Sequence, residues 1–129
     1  MKLIDTVAIV GFLNPKDRLH ARSSEHLQRV SSQDDVFVPV SSLIETDFVL
    51  KVSGYSDSER EVSWNAIDSQ VPSDKIISNS VSSIQQAIKL QETEGLDYFD
   101  SLVASLAKET GSIVITTDKR IGSVTEVEW

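Results

Sequence analysis

Four acidic residues, far apart along the chain, each begin or follow a predicted secondary-structure element. Asp5 follows a short apolar strand, Glu45 lies early in an apolar helix, Asp100 lies in the first turn of a late helix, and Asp118 follows a buried strand. The 129 residues include no cysteine and only two histidines, so thiolate metal sites are excluded. Carboxylate oxygens are the ligands that hard cations prefer. A site built from these acids would therefore favour Mg²⁺ or Mn²⁺.

Residues 96–120 carry two of these acids and read as a helix, a glycine stop, a buried strand and an acidic turn. At about 100° per helical residue, Asp100 lies at the edge of the apolar stripe, whereas Asp97 points away and is predicted to cap the helix. A carboxylate at the border of a buried face needs a donor, a cation or a metal as its partner, which singles out Asp100. Asp118 lies just past the β-branched strand at 113–115. In open parallel sheets, ligands bind at that carboxyl edge.

The first half of the chain predicts the elements that position Asp5 and Glu45. Residues 3–4 form a strand that ends at Asp5, and an apolar run, 7–13, forms a buried helical turn behind it. A second strand at 36–38 precedes a helix over about 42–53. Ser42 and Glu45 have the spacing of a capping box, a structural role that competes with a site role for this glutamate.

The helix over 42–53 is apolar on most sides, which predicts burial against both the domain and a second subunit. Its apolar residues are Leu43, Ile44, Phe48, Val49, Leu50 and Val52. Light scattering on a protein with this surplus apolar surface should report a homodimer.

The second half continues the alternation of helices and strands. Ser58 and Glu61 offer another capping box before a helix, residues 76–77 form a third strand, and a helix from Ser80 to Gly95 places four apolar side chains on one face, namely Val81, Ile84, Ala87 and Ile88. Residues 124–127 alternate like an edge strand. Strands and helices that alternate throughout predict an α/β fold, with a mostly parallel central sheet in a three-layer α/β/α arrangement.

The composition sets broad limits on the class of protein. A length of 129 residues predicts one domain over 1–129, and 40% hydrophobic with 25% charged residues is ordinary for a globular protein. The apolar run at 7–13 is too short to span a membrane, and no signal-like segment opens the chain. We therefore expect a cytoplasmic protein. The net charge of −8 argues against a broad basic surface for nucleic acid, but not against a metal-dependent phosphodiesterase.

One region is locally basic. Asn14 as N-cap and Pro15 at the first helical position predict a helix from Lys16 to Val30. It carries six basic or histidine side chains, namely Lys16, Arg18, His20, Arg22, His26 and Arg29. These side chains form either a solvated helix face or a flank that contacts phosphates.

The four acids and their local sequences resemble the PIN domain family, named after the pilus-protein N-terminal domain. The opening Leu3-Ile4-Asp5-Thr6 is similar to the family's first motif, a strand that ends in aspartate before a small hydroxyl residue. Residues 42–45 resemble its helical glutamate motif, residues 100–104 its aspartate-led helix, and residues 116–119 its final acidic turn. The resemblance covers nearly the whole chain. It departs at Val7, where many members carry a polar residue.

At this length the resemblance is strongest to VapC-type toxins of prokaryotic toxin–antitoxin pairs, and it implies cleavage of single-stranded RNA with Mg²⁺ or Mn²⁺. It assigns Asp5 and Asp100 as direct metal ligands, with Glu45 and Asp118 as ligands directly or through water. Thr6 and Thr117 would hydrogen-bond a ligand or a phosphate oxygen, or else cap the local backbone. The family also implies a homodimer and a cognate antitoxin, which could present a basic side chain to the acids.

Two other functions fit parts of the pattern. A PIN-like interaction module without catalysis suits the acidic net charge and the apolar helix around Glu45. A phosphoacceptor receiver domain also gathers acids at strand ends, but it needs an aspartate after the central strand. The segment 76–79, taken as that strand and its end, has none, which places this alternative far below the other two.

Overall fold

The computed structural model of the protein describes all 129 residues, Met1–Trp129. It contains five strands, β1–β5, and seven α-helices, α1–α7, with one short 3₁₀ turn before β3. In chain order these are β1 Lys2–Ile4, α1 Thr6–Leu13, α2 His20–Ser32, β2 Val36–Pro39, α3 Val40–Val52, α4 Asp57–Gln70, the 3₁₀ turn Ser73–Lys75, β3 Ile76–Ile77, α5 Val81–Glu94, α6 Tyr98–Thr110, β4 Ile113–Ile115, α7 Lys119–Gly122 and β5 Val127–Glu128.

The strands form one sheet in the order β3-β2-β1-β4-β5, and every neighbouring pair is parallel. The central strand β1 pairs with β2 through Leu3 and Phe37 and with β4 through Leu3 and Val114. Parallel strands place all their carboxyl ends at one edge of the sheet. The α/β prediction is therefore confirmed, and the residue after the central strand is Asp5.

Helices cover both faces of the sheet because successive side chains of a strand point to opposite sides. On one face Ile4 packs among side chains of α1, α2 and α4, including Ile9, Leu27 and Ile67. On the other face Leu3 packs against side chains of α6 and α7. The three-layer arrangement expected from the sequence follows. No helix combines the length and apolar character needed to cross a bilayer.

The basic helix is shorter than predicted. The structure begins α2 at His20, not at Lys16. The Asn14 side chain accepts a hydrogen bond from the Lys16 backbone N–H at 3.1 Å, and Asp17 accepts one from the Leu19 N–H at 2.8 Å. Asparagine and aspartate side chains that bond the backbone two residues on favour turns over helix, which accounts for the difference.

Both predicted capping boxes are wrong. Helix α3 begins at Val40, directly after β2, with Pro39 at its N-cap. Ser42 is therefore buried inside the first turn, so Glu45 has no capping role. Helix α4 does have a capping box, but it is formed by Ser56 and Glu59, two residues earlier than predicted.

Two further elements differ from expectation. Helix α5 packs through Ser83, Ala87 and Leu90, and the apolar Val81, Ile84 and Ile88 are exposed instead. The final strand β5 comes later than residues 124–127, because the Val124 and Thr125 N–H groups bond to the carbonyl of Ile121 and continue the turn after α7.

Candidate active site

A cleft of about 480 Å³ contains all four acids singled out in the sequence. They come from four elements. Asp5 follows β1, Glu45 lies on α3, Asp100 lies in the first turn of α6, and Asp118 follows β4. Since β1 and β4 are adjacent and parallel, Asp5 and the β4–α7 turn that holds Asp118 both lie at the carboxyl edge of the sheet.

Asp5 is the most buried of these acids, at 5% exposure. Its backbone N–H continues the sheet by bonding to the Ile115 carbonyl, and its Oδ2 accepts a hydrogen bond from the Thr116 hydroxyl at 2.7 Å. The pKa of Asp5 is raised from 3.8 to about 6, chiefly by burial. The hydrogen bond from Thr116 opposes this rise, and the charges of Glu45 and Asp118 add to it.

Asp100 faces the cleft from the first turn of α6, where it is 9% exposed. Its pKa is raised from 3.8 to about 7, first by burial and then by the charges of Asp118, Asp5 and Glu45. Its nearest cation is Arg120, whose Nη2 is 3.9 Å from the Asp100 Oδ2. Asp100 is therefore a carboxylate held among like charges without a close ion pair.

Glu45 is half-buried on α3, one turn beyond the buried Ser42. Burial raises its pKa, the Thr6 hydroxyl lowers it, and the charges of Asp118 and Asp97 raise it further. The Thr6 hydroxyl also donates to the Ser42 carbonyl, at 3.4 Å. The contacts of Thr6 thus join the start of α1 to the first turn of α3 beside the cleft.

Asp118 combines a local role with its place in the cleft. Its Oδ1 accepts a hydrogen bond from the Arg120 backbone N–H at 2.8 Å, so it caps α7. Its own N–H donates to the Thr116 hydroxyl at 3.0 Å. The predicted acidic turn therefore has a defined conformation, with Thr116 joining Asp5 to Asp118.

Thr116 was not among the residues predicted for the site, although it is the threonine that contacts two of the acids. It is buried, whereas the predicted Thr117 is exposed and lines the cleft without a hydrogen bond to an acid. The alternation of side chains along a strand could have indicated Thr116. It directly follows β4 and is two residues from the buried Val114, so its side chain continues the same buried face.

Sequence reasoning also missed three charged residues of the cleft, Asp17, Asp97 and Arg120. Asp97 occupies the N-cap position of α6, as predicted, but its side chain makes no capping bond. Its Oδ2 instead accepts from the Arg120 Nη2 at 2.9 Å. Asp17 bends the loop between α1 and α2. The bond of Asp17 is local, but the ion pair of Asp97 with Arg120 joins segments far apart in the chain, so no local pattern indicates that pair.

The chemistry of this donor set fits a hard divalent cation. All the acids offer oxygen ligands, and the pKa values of Asp5 and Asp100 are raised first by burial and then by repulsion from the neighbouring negative charges. A cation would relieve that repulsion. As placed, however, no group of three or more carboxylate or histidine side chains is close enough together to hold an ion.

The basic region divides into two parts. Arg22 pairs with Glu25, Arg29 pairs with Glu128, and His26 is fully buried beside the Trp129 ring. Arg29 and His26 are therefore held by contacts within the fold, whereas the Arg22–Glu25 pair is exposed to solvent. Lys16 and Arg18, in contrast, are exposed, make no ion pair, and flank Asp17 at the cleft. Lys16 and Arg18 are therefore the side chains of this region that lie next to the cleft and are free to contact a phosphate.

A family model for the PIN domain matches residues 2–127. The chain belongs to the PIN domain family. The resemblance seen in the sequence is thereby confirmed, and a search of curated proteins finds no relative.

Solved structures share this PIN fold at low sequence identity. The toxin VapC20 of Mycobacterium tuberculosis, described as cleaving the sarcin–ricin loop, is 13% identical over 100% of this chain and 98% of its own, with a TM-score of 0.78. VapBC2 of Rickettsia felis, bound to a promoter DNA fragment, is 18% identical over 99% of this chain and 98% of its own, with a TM-score of 0.73. FitAcB of Neisseria gonorrhoeae is 19% identical over 98% of this chain and 96% of its own, with a TM-score of 0.72.

The topology also removes the receiver-domain alternative, for a different reason from the one expected. The segment 76–77 is the edge strand β3, so its lack of an aspartate decides nothing. The central strand β1 does end in an aspartate, Asp5. The strand order 3-2-1-4-5, however, differs from the 2-1-3-4-5 order of receiver-type folds, and the PIN family match agrees.

Proposed function

We propose that this PIN domain, spanning residues 1–129, is a metal-dependent endoribonuclease that cleaves single-stranded RNA and is the toxin of a toxin–antitoxin pair. One observation carries the proposal. Asp5, Glu45, Asp100 and Asp118 come from four separate elements and line one cleft. Two of these carboxyls have pKa values raised to about 6 and 7. Such crowding has a cost in stability that a bound cation offsets.

Asp5 and Asp100 are the proposed direct ligands of Mg²⁺ or Mn²⁺, because they are the most buried acids of the cleft. Glu45 and Asp118 would bind it directly or through water. When bound, the ion polarises a phosphate oxygen and lowers the pKa of a water. The chain's own groups then orient the reactants. Thr116 fixes the Asp5 carboxylate, and Asp118 holds the turn that brings Thr117 to the cleft.

The products follow from the nucleophile. A water that attacks in line with the departing 3′ oxygen leaves a 5′-phosphate on one fragment and a free 3′-hydroxyl on the other. The role of accepting a proton from that water is assigned to Glu45, because it is half-buried and its pKa is raised. Thr6 and Thr117 can hydrogen-bond a phosphate oxygen at the edges of the cleft.

The test is cleavage of a labelled single-stranded RNA with Mn²⁺ by the parent protein and by Asp100→Asn. We expect the variant to keep its fold, by circular dichroism, and to lose at least about 1000-fold in rate. The matched control is Asp74→Asn, which neutralises an exposed acid outside the cleft. It should cleave RNA at the same rate as the parent. Equal rates for Asp100→Asn and the parent, from preparations free of other nucleases, would rule the proposal out.

The toxin assignment implies a protein partner. Solved structures with this fold include VapBC2, FitAcB and a toxin–antitoxin complex from Klebsiella pneumoniae. For this chain we propose a cognate antitoxin that presents a basic side chain to the acids of the cleft. Co-expression with the neighbouring small reading frame should yield a stable complex with reduced RNA cleavage.

A homodimer is part of the same proposal. Ile44, Phe48 and Val52 recur every four residues on α3 and are 57%, 58% and 70% exposed. Helical residues at that spacing lie on one face, so they form an apolar stripe open to a second subunit. Light scattering should give twice the mass of the chain, and Phe48→Glu should reduce it to the monomer value. A monomer at high concentration would contradict the proposal.

A second candidate is a PIN-like interaction module without catalysis. The specific observation in its favour is that no three acids are placed close enough together to hold an ion. The apolar stripe on α3 suits it equally. Such a module has no reason to bind Mn²⁺ at the cleft, so ion binding separates the two candidates.

A further inference from the structure

The cleft that holds the four acids contains a single basic side chain. Twelve residues line it, of which six are acidic and one, Arg120, is basic. A chain with a net charge of −8 repels RNA. The phosphates that flank a reacting bond need a cation from the protein, since the acids themselves would repel them. Arg120 is the one residue of the cleft that supplies this charge.

Arg120 has a fixed backbone and a free side chain. Its N–H bonds to Asp118 Oδ1 at 2.8 Å, and the next residue, Ile121, is fully buried. The first turn of α7 is therefore anchored at both sides. The side chain as a whole nevertheless remains 61% exposed. Such an arrangement holds the base of the side chain next to the acids while its charged end can move.

The ion pair that Arg120 forms with Asp97 is weak. Its Nη2 lies 2.9 Å from Asp97 Oδ2, and the two side chains are 61% and 65% exposed. Exposed pairs of this kind contribute little to stability, because water and salt screen them. A phosphate offers a planar guanidinium two oxygens at once, which makes it a stronger partner than a single carboxylate oxygen. The exchange of Asp97 for a phosphate is therefore favourable.

We propose that Arg120 is a substrate-binding residue that leaves Asp97 and grips a phosphate of the RNA backbone at the mouth of the cleft. This inference rests on the proposed RNA substrate. Asp97 acts as the resting partner, and it keeps the guanidinium at the edge of the acids when no substrate is bound. Arg120 Nη2 lies 3.9 Å from Asp100 Oδ2, so a phosphate held by the guanidinium would lie beside this proposed ligand of the ion.

The competing role for Arg120 is that of a counter-ion that only neutralises Asp97 and Asp100. The two roles differ in what they change. A counter-ion alters the stability of the metal-free protein and its affinity for Mn²⁺. A phosphate ligand alters the affinity for RNA and the dependence of that affinity on salt.

The test measures fluorescence anisotropy of a short labelled single-stranded RNA, in Ca²⁺, over a series of salt concentrations. Arg120→Ala should weaken RNA binding on the order of tenfold and lower the salt slope by about 1, as loss of one phosphate contact does. Lys119→Ala is the matched control, because it removes an adjacent exposed cation that does not line the cleft. It should bind RNA within twofold of the parent, at about the ordinary scatter of such assays.

Two further variants sharpen the test. Arg120→Lys keeps the charge but not the planar fork, so its RNA affinity should fall between those of the parent and Arg120→Ala. Asp97→Asn frees Arg120 and should leave RNA binding equal or tighter. In cleavage assays, Arg120→Ala should raise KM on the order of tenfold while kcat and the Kd for Mn²⁺ stay within about threefold.

Equal RNA binding by the parent and Arg120→Ala would overturn the inference, whether or not the protein cleaves RNA. A loss of RNA affinity in Asp97→Asn as large as that in Arg120→Ala would also overturn it. In that case RNA binding would depend on the intact ion pair of Arg120 with Asp97, and not on a free Arg120 that contacts phosphate. If the parent binds RNA without cutting it and Arg120→Ala still weakens binding, the nuclease proposal fails while the role of Arg120 stands.

Discussion

Two acids on the same helix, Glu45 and Asp47, lie in opposite electrostatic surroundings. Asp47 accepts hydrogen bonds from the Arg60 guanidinium and, at 2.8 Å, from the Trp64 indole N–H, and these bonds hold its pKa below the ordinary value. Glu45 faces the cleft, where burial and the charges of Asp118 and Asp97 raise its pKa. At Asp47 the donors of the fold outweigh the effect of burial, whereas at Glu45 the single Thr6 hydroxyl does not offset burial and the neighbouring negative charges.

The difference shows how the fold treats structural and site acids. At Asp47, partners from α4 connect two helices, which favours the native state. In the cleft, carboxylates from four elements share one space, and three of them have raised pKa values. Several carboxyls with raised pKa values in one cleft are typical of a functional site.

The largest expected difference is in catalysis. Glu45→Gln should lower kcat for RNA cleavage by at least about 100-fold, or about 2.7 kcal/mol in activation free energy. Asp47→Asn, two residues away, should keep kcat within about threefold. Steady-state kinetics with Mn²⁺ measure both. If Asp47→Asn lost as much activity as Glu45→Gln, the distinction between the two acids would be wrong.

The second prediction concerns stability and pH. Raised carboxyl pKa values mean that the folded protein binds more protons than the unfolded chain, so stability falls as pH rises through the window from about 4 to about 7. Asp100→Asn removes the contribution of Asp100 to this fall. In metal-free buffer it should be on the order of 2 kcal/mol more stable than the parent at pH 7.5, and the gain should shrink towards pH 4.

Comparison between variant and parent is essential for that measurement. His26, whose pKa burial lowers to about 4, makes stability rise with pH over part of the same range. This contribution is common to both proteins and cancels in the difference. Chemical denaturation at each pH gives the difference directly, and a gain that did not depend on pH would contradict the assignment to Asp100.

The third prediction concerns the residue that positions Asp5. Thr116→Val removes the hydroxyl that donates to Asp5 Oδ2 at 2.7 Å while keeping the volume of the side chain. RNA cleavage should fall by about tenfold, or about 1.4 kcal/mol, because the carboxylate loses its orientation. Thr117→Val is the matched control and should have a smaller effect, since Thr117 bonds to no acid. A larger effect at Thr117 would reverse the roles assigned to the two threonines.

The smallest expected effect lies at Asp47 itself. Asp47→Asn weakens the contacts to Arg60 and Trp64 and should destabilise the fold by about 1 kcal/mol, a value kept small because the site is partly exposed to solvent. Asp100→Asn should instead stabilise the fold at pH 7.5. Thermal unfolding of the two variants side by side checks this contrast. It would be wrong if both variants shifted the unfolding temperature in the same direction.

Local patterns in the sequence predicted the parts of the site that depend on single elements. The β-branched run before Asp118 and the apolar strand before Asp5 both became buried parallel strands, which fixed the edge where these acids lie. Helical spacing placed Asp100 at the border of the buried face of α6, as the structure has it. Each of these sequence patterns lies within a few residues of the acid whose position it predicts.

Features that depend on contacts between distant segments escaped prediction. The ion pair of Asp97 with Arg120 joins α6 to α7, and nothing in either segment indicates it. Ser42 and Glu45 matched a capping box, but β2 runs directly into α3 and moves the start of the helix to Val40. The apolar spacing in α5 put Val81, Ile84, Ala87 and Ile88 on one face, but of these only Ala87 is buried, and the helix packs through it together with Ser83 and Leu90.

We propose that the crowded acids of the cleft bind a divalent cation. Calorimetric titration of the metal-free protein with Mn²⁺ tests this directly, with Asp100→Asn and Asp47→Asn as a matched pair. We expect saturable binding to the parent and to Asp47→Asn, and a loss of affinity of at least about tenfold in Asp100→Asn. No binding to the parent, or equal binding to all three proteins, would contradict it.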